Sequence, residues 1–144
     1  MESRIDIQKT EPAAYQAMYV LEKYLAGSQL TPIHKELIKM RASQINGCAF
    51  CLNMHSVDAR KLGETEQRIY LLNAWKETNL YTEEEQAILA LTEEVTLITN
   101  HVSDAAFDRA AKLFDEHYLA QIIMAIVTIN AWNRIAITSR TMVG

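Results

Sequence analysis

The chain has 144 residues, a formal net charge of −4 and a pI near 5.6, and against about 150 residues per domain it has the length of one compact domain. Its 49% hydrophobic and 22% charged residues exclude disordered, collagen-like and mucin-like chains. Four glycines and two prolines are too few for the turns of a many-stranded protein, so the composition points to an all-α fold.

The longest uninterrupted apolar run, Ile122 to Val127, falls far short of the roughly 20 residues that cross a bilayer, so no membrane association is expected. The opening residues MESRIDIQKTE carry no apolar leader segment, which makes the cytoplasm, where thiols start reduced, the expected compartment. No basic run is available to neutralise phosphates, and nucleic acid is not an expected partner.

In chain order, residues 1–10 alternate Ile5 and Ile7 with polar neighbours and read as a short extended arm. About seven helices follow, forming one domain over residues 1–144. Pro12 and Gly27 bracket the first, whose apolar residues Met18, Leu21 and Leu25 keep a three-to-four spacing. Thr31-Pro32 starts the second, which runs to Asn46-Gly47, where both residues tolerate the left-handed conformation that ends helices. The third begins at the cysteines and closes at Gly63. Thr65 caps a fourth to about Glu77, and Thr82 with Glu85 forms a capping box for a fifth to about Thr99. Ser103 or Asp104 caps a shorter helix that places Phe107 and Phe114 on one face. The last helix, from Leu119 to about Arg140, is apolar in nearly every direction and is expected to be buried all round, with an oligomer interface covering one side.

The chemistry concentrates in residues 36–55. The only two cysteines are Cys48 and Cys51, His55 follows one turn later, and Glu36 lies twelve residues before Cys48. A helix ending at Gly47 puts both thiols in the cap and first turn of the next helix, where unpaired N–H groups and the positive dipole end favour a thiolate. The three-and-four spacing lines up Cys48, Cys51 and His55 on one stripe, so His55 can serve Cys51 as a base. Glu36 lies about 15 Å before the inter-helix turn and His55 about 10 Å after it, an offset of roughly 5 Å that lets Glu36 orient His55. Met40 and Ser43 share the Glu36 face. His34, about 200° around the same helix, points elsewhere and reads as a surface histidine.

A pair of buried small hydrophobes and a zinc site built from Cys48, Cys51, His55 and Glu36 are the bland and metal alternatives, although structural zinc favours ligands from two separated clusters. Covalent haem attachment needs a histidine where Leu52 stands, and a thioredoxin fold needs βαβ units that are absent. A dithiol redox centre on a helical scaffold remains, with no metal or cofactor expected.

The pattern Glu36-x11-Cys48-x2-Cys51-x3-His55 resembles the core motif of the alkylhydroperoxidase AhpD-like branch of the carboxymuconolactone decarboxylase family. The likeness runs from Thr31-Pro32 to Gly63 and again through Ile129–Ala136. It implies an all-α fold assembled as trimers or hexamers, with the motif near a subunit boundary. It also implies a thiol-dependent peroxidase acting on organic hydroperoxides, with Cys51 peroxidatic, Cys48 resolving and His55 with Glu36 as proton relay. A lipoylated or thioredoxin-like dithiol would be the reductant. Some relatives carry a histidine immediately before the second cysteine; Phe50 stands there and cannot shuttle protons, which implies slower turnover or a more apolar substrate. The decarboxylase branch generally lacks the cysteine pair, so its reaction fits poorly. A non-catalytic redox-sensing or thiol–disulfide exchange module and a structural or metal-binding helical oligomer are the competing readings.

Outside the motif, Asn130, Asn133 and Arg134 share a face of the last helix, where the arginine needs a carboxylate or carbonyl partner that a subunit contact could supply. His101 and His117 are expected in solvent, and Trp75 and Trp132 in the core.

Overall fold

The computed structural model describes all 144 residues. It contains eight α-helices: α1 (Ile7–Thr10), α2 (Pro12–Ala26), α3 (Pro32–Asn46), α4 (Ala49–Lys61), α5 (Glu66–Tyr70), α6 (Glu83–Thr96), α7 (Asp104–Leu113) and α8 (Glu116–Ser139). Short 3₁₀ stretches, Leu72–Glu77 and Ile98–Asn100, follow α5 and α6. The seven helices expected from punctuation are present, and the local chemistry explains their ends. Thr31 Oγ1 accepts from the His34 amide to open α3, and Gly47 closes it at φ 72°, ψ 33°, a conformation that costs glycine no Cβ clash. Both halves of the Thr82–Glu85 capping box form at α6.

Several expectations need correction. The first ten residues do not form one extended arm: Asp6 accepts from the Lys9 amide and caps the single turn α1, so only the first six lie outside helix. The fourth helix is interrupted at Ala74 (φ −115°, ψ 23°). The 3₁₀ winding there aligns residues three apart, which lets Leu72 and Trp75 both reach the core. The helix beginning at Glu83 ends at Thr96, three residues before the expected limit. Phe114 adopts extended backbone just past α7, so it does not share a helical face with Phe107; it stacks on Tyr118, ring centroids 5.0 Å apart.

α3 lies at the centre, packed on α4, α6 and α8. One side of it, with Ile38 and Ala42, joins the larger core around Ile122, Ile126 and Ile129 of α8. Its other side, with Leu37 and Met40, joins Ala59, Leu72, Trp75, Tyr81 and Leu89 in a second core. α8 is 24 residues long and by length and composition alone apolar enough to cross a membrane, but it packs within the bundle, with Ile122, Ala125 and Ile126 fully buried. It is not buried all round within one chain: Val127 and Ile137 are 45% and 43% exposed.

The α3–α8–α6 junction is polar and fully satisfied. Asn46 Nδ2 donates to both Asn130 Oδ1 and Asn133 Oδ1 at 2.9 Å. Asn133 Nδ2 donates to Ser43 Oγ, and Asn130 Nδ2 to Thr96 Oγ1. This network pins the end of α3, immediately before the cysteines, to the long helix. Arg134 finds the carbonyl partner it was expected to need one turn back on its own helix, donating to the Asn130 carbonyl and Oδ1, and it lies exposed, where water can solvate the guanidinium.

His34 is the clearest departure. It points away from Glu36 as expected, yet it is buried, not on the surface, with Nδ1 2.7 Å from the Tyr118 hydroxyl and Phe114 edge-on. Burial lowers its pKa from the ordinary histidine value, with Glu84 and Glu85 opposing in part. The unfolded chain therefore takes up this proton first as pH falls below about 6.5, and folding stability drops in that range. Urea midpoints at pH 7.5 and 5.5 check this: the stability difference between the native chain and His34→Gln should shrink at the lower pH.

Candidate active site

α3 and α4 form a hairpin whose tight joint is the cysteine turn. The Cys48 amide donates to the Ser43 carbonyl at 3.0 Å, which completes the α3 C-terminus. Cys48 then serves as N-cap of α4, its Sγ accepting from the Cys51 amide at 3.3 Å. The two cysteines are joined as a disulfide with Cα atoms 5.4 Å apart. Neither sulfur is then available as a thiolate ligand for zinc.

One turn along α4, His55 Nδ1 lies 3.0 Å from Glu36 Oε2 on α3, and both residues are 8% exposed. The antiparallel offset estimated from helix rise thus closes to a direct hydrogen bond. Because a carboxylate only accepts, this contact keeps the proton on Nδ1 and leaves Nε2 as the free base. Cys51, three residues into the 13-residue α4, sits where helix N–H groups stabilise a thiolate once the bond is reduced.

Cys51 and His55 open onto a cavity of about 500 Å³. Its far wall is aromatic, with the Trp132 ring 5.4 Å from Tyr15 and 6.0 Å from Tyr19, and Phe50, Met54 and Ile135 add apolar surface. Trp132 is therefore a cavity wall as well as a packing residue, which revises its expected core placement; its indole N–H donates to Glu22 at 2.9 Å. Trp75 does lie in the core, and His101 and His117 are exposed, as expected.

Lys39, Glu22 and Asp58 escaped the sequence reading. Lys39 Nζ lies 3.9 Å from Glu36 Oε1 and 3.8 Å from Glu22 Oε2. It thereby braces the carboxylate that orients His55 and ties it to the helix carrying the aromatic wall. The signal available was Lys39 at i+3 from Glu36; the Glu22 contact depends on how α2 docks. Glu36, His55 and Asp58 also bring ligand atoms within 4.8 Å of one another. The Lys39 ammonium beside Glu36 already supplies positive charge there, and the Glu36–His55 bond engages two of those atoms.

A buried cysteine pair at a helix start, an imidazole–carboxylate couple one turn along and a largely apolar cavity in front of both are thus set in an all-helical fold. Residues 12–94 match the carboxymuconolactone decarboxylase family, and the chain belongs to that family, in its AhpD-like branch. It is 45% identical to the Bacillus subtilis protein YdfG over 138 residues, covering 95% of this chain and 94% of that one. An Agrobacterium tumefaciens structure, suggested to be the antioxidant defence protein AhpD, superposes with TM-score 0.96 at 40% identity and covers 99% of both chains. The fold is shared with an AhpD-core, peroxidase-related protein of Ralstonia eutropha, at TM-score 0.83 and 18% identity, covering 95% of this chain and 74% of that one.

Proposed function

We propose that the protein is a thiol-dependent peroxidase that reduces organic hydroperoxides through a Cys48–Cys51 dithiol–disulfide cycle. The observation that carries this reading is the convergence of Cys51 and His55, with Glu36 behind, on one largely apolar cavity. The Cys51 thiolate attacks the terminal oxygen of ROOH. The O–O bond breaks, a sulfenic acid forms on Cys51, and protonated His55 gives its proton to the departing alkoxide as ROH. The Cys48 thiol then attacks the sulfenic sulfur, forming the disulfide and releasing water. A dithiol reductant, such as a lipoylated or thioredoxin-like protein, returns the pair to the reduced state and is itself oxidised to a disulfide.

Phe50 on the cavity wall supports a preference for apolar hydroperoxides. The exposed apolar residues Val20 and Tyr24 on α2 and Val127 on α8 support assembly into a trimer or hexamer. A reducing compartment such as the cytoplasm suits the cycle.

The test is steady-state consumption of cumene hydroperoxide with dihydrolipoamide as reductant. Saturable turnover is expected, and its absence in fully reduced protein would overturn the reading. Glu36→Gln should lower turnover about 10²-fold, the lower end for general acid–base catalysis. The Glu36→Gln variant should retain the native circular dichroism spectrum, so that the loss reports the relay and not the fold.

A further inference from the structure

The two sulfurs of the disulfide face different surroundings. Cys51 lines the aromatic cavity, whose charged lining residues are the carboxylates of Glu22 and Asp58 and the ammonium of Lys39, which is already held between Glu22 and Glu36. Cys48 lines a separate groove of about 320 Å³ beside the chain's two ends, with Ala136 and Ile137 along its floor. Phe50 borders both. The only charged side chains lining the Cys48 groove are Arg4 and Arg140, and no carboxylate joins them. Arg4 is anchored there, its amide donating to the Ser139 carbonyl at 2.9 Å and its guanidinium to the Thr138 carbonyl at 3.4 Å.

We infer that this groove is where the reductant enters and that it selects for negative charge, so that among small thiols it favours an anionic one, bearing a carboxylate or sulfonate, which attacks Cys48 and not Cys51. Thiol–disulfide exchange is a displacement: the incoming thiolate bonds to one sulfur and the other leaves. Attack at Cys48 forms a Cys48–S–S–R mixed disulfide and expels Cys51 as a thiolate. That leaving group sits at the start of α4, where helix N–H groups stabilise it, and a better-stabilised leaving thiolate departs faster. A second thiol then attacks the R-side sulfur of the mixed disulfide and leaves as RSSR, returning Cys48 as a thiol. The route delivers Cys51 in the ionised form that faces the cavity. Attack at Cys51 would expel Cys48 instead and would bring an anion past Glu22 and Asp58. Two cations facing the groove attract the thiolate locally although the chain as a whole is anionic.

The inference needs only that the pair cycles between disulfide and dithiol. Peroxide turnover and groove entry therefore fail or succeed separately. The probes are 2-mercaptoethanesulfonate and 2-mercaptoethanol, matched in carbon chain and differing in charge, with opening of the disulfide in oxidised protein as the readout. At low ionic strength the sulfonate should react about tenfold faster, at the modest end of electrostatic steering, and the advantage should fade at 0.5 M salt. The double variant Arg4→Gln/Arg140→Gly should lose the preference; glycine suits the left-handed φ of 55° at position 140. Acid quenching during the first turnover, followed by alkylation and peptide mapping, should find the probe on Cys48 and the alkyl label on Cys51. Equal rates for the two thiols, or the probe on Cys51, would overturn the inference in the native protein, whatever the folding of the variant.

Discussion

Cys51→Ser is expected to reduce hydroperoxide turnover to the uncatalysed background, a loss on the order of 10³-fold or more, the scale of removing a covalent nucleophile. A serine hydroxyl at the start of α4 remains protonated at neutral pH and does not attack the O–O bond. Cys48→Ser should behave differently. Its Cys51 still faces the cavity and still has His55 behind it, so it should consume about one equivalent of hydroperoxide and then stop as a sulfenic acid, with no partner to close the disulfide. A sulfenic-acid trap followed by mass spectrometry separates the two variants. Sustained turnover by Cys51→Ser would place the nucleophile elsewhere, and a first-equivalent burst in that variant but not in Cys48→Ser would reverse the two roles.

The largest expected effect on stability lies away from the cysteines. Arg68 donates through Nε and Nη2 to Glu64, at 2.7 and 3.1 Å, and through Nη1 and Nη2 to Glu85. It also donates to the Leu80 carbonyl and stacks on the Tyr81 ring, 4.7 Å from its centroid. Both carboxylates are buried, about 5% exposed. Burial opposes the charge on Arg68, but the bonds to Glu85 and Glu64 outweigh it and raise its pKa. Burial likewise pushes Glu85 up, and the Arg68 and Thr82 bonds override it to leave the carboxyl below its ordinary value. Tyr81, mainly through burial, is pushed up to about 12.

Arg68→Met keeps the stem and removes the charge, leaving two buried carboxylates unpaired, at a cost of about 3–5 kcal/mol. Against a typical domain stability of about 5–15 kcal/mol, that shift is large enough to read directly from a urea midpoint. The pH dependence has a defined sign. With its folded pKa depressed, Glu85 contributes stability above its unfolded pKa of about 4.3 and loses it as pH falls through the lower folded value. In Arg68→Met the guanidinium that held the carboxyl down is gone and burial alone acts on it. The gap between native and variant stability should therefore narrow on acidification below about pH 4. An equal gap at pH 7 and pH 3.5 would show that Arg68 acts through packing alone.

Much of the site was legible because its parts are close in sequence or related by helix geometry. Cys48, Cys51 and His55 fall on one stripe of one helix, and Gly47 dictates the break that places the thiols at its start. Glu36 was reachable because a short turn makes two helices antiparallel, so axial rise alone fixes its level beside His55. The surface placement expected for His34 and the core placement expected for Trp132 failed for a shared reason. Each depends on a residue about a hundred positions away in the chain, Tyr118 for His34 and Glu22 for Trp132, and no local periodicity encodes such a pairing.

By itself, then, the sequence determined the all-helical class, the helix punctuation and the alignment of the cysteine pair with His55, since propensity, capping and i, i+3 and i, i+4 spacing are local properties. Tertiary structure decided the rest: that α2 lays Tyr15 and Tyr19 against Trp132 to wall the cavity, that Lys39 braces Glu36, and that the two ends of the chain meet beside Cys48. Those contacts arise when separate helices bury apolar faces against one another, and the packing that satisfies every helix at once is a property of the whole chain.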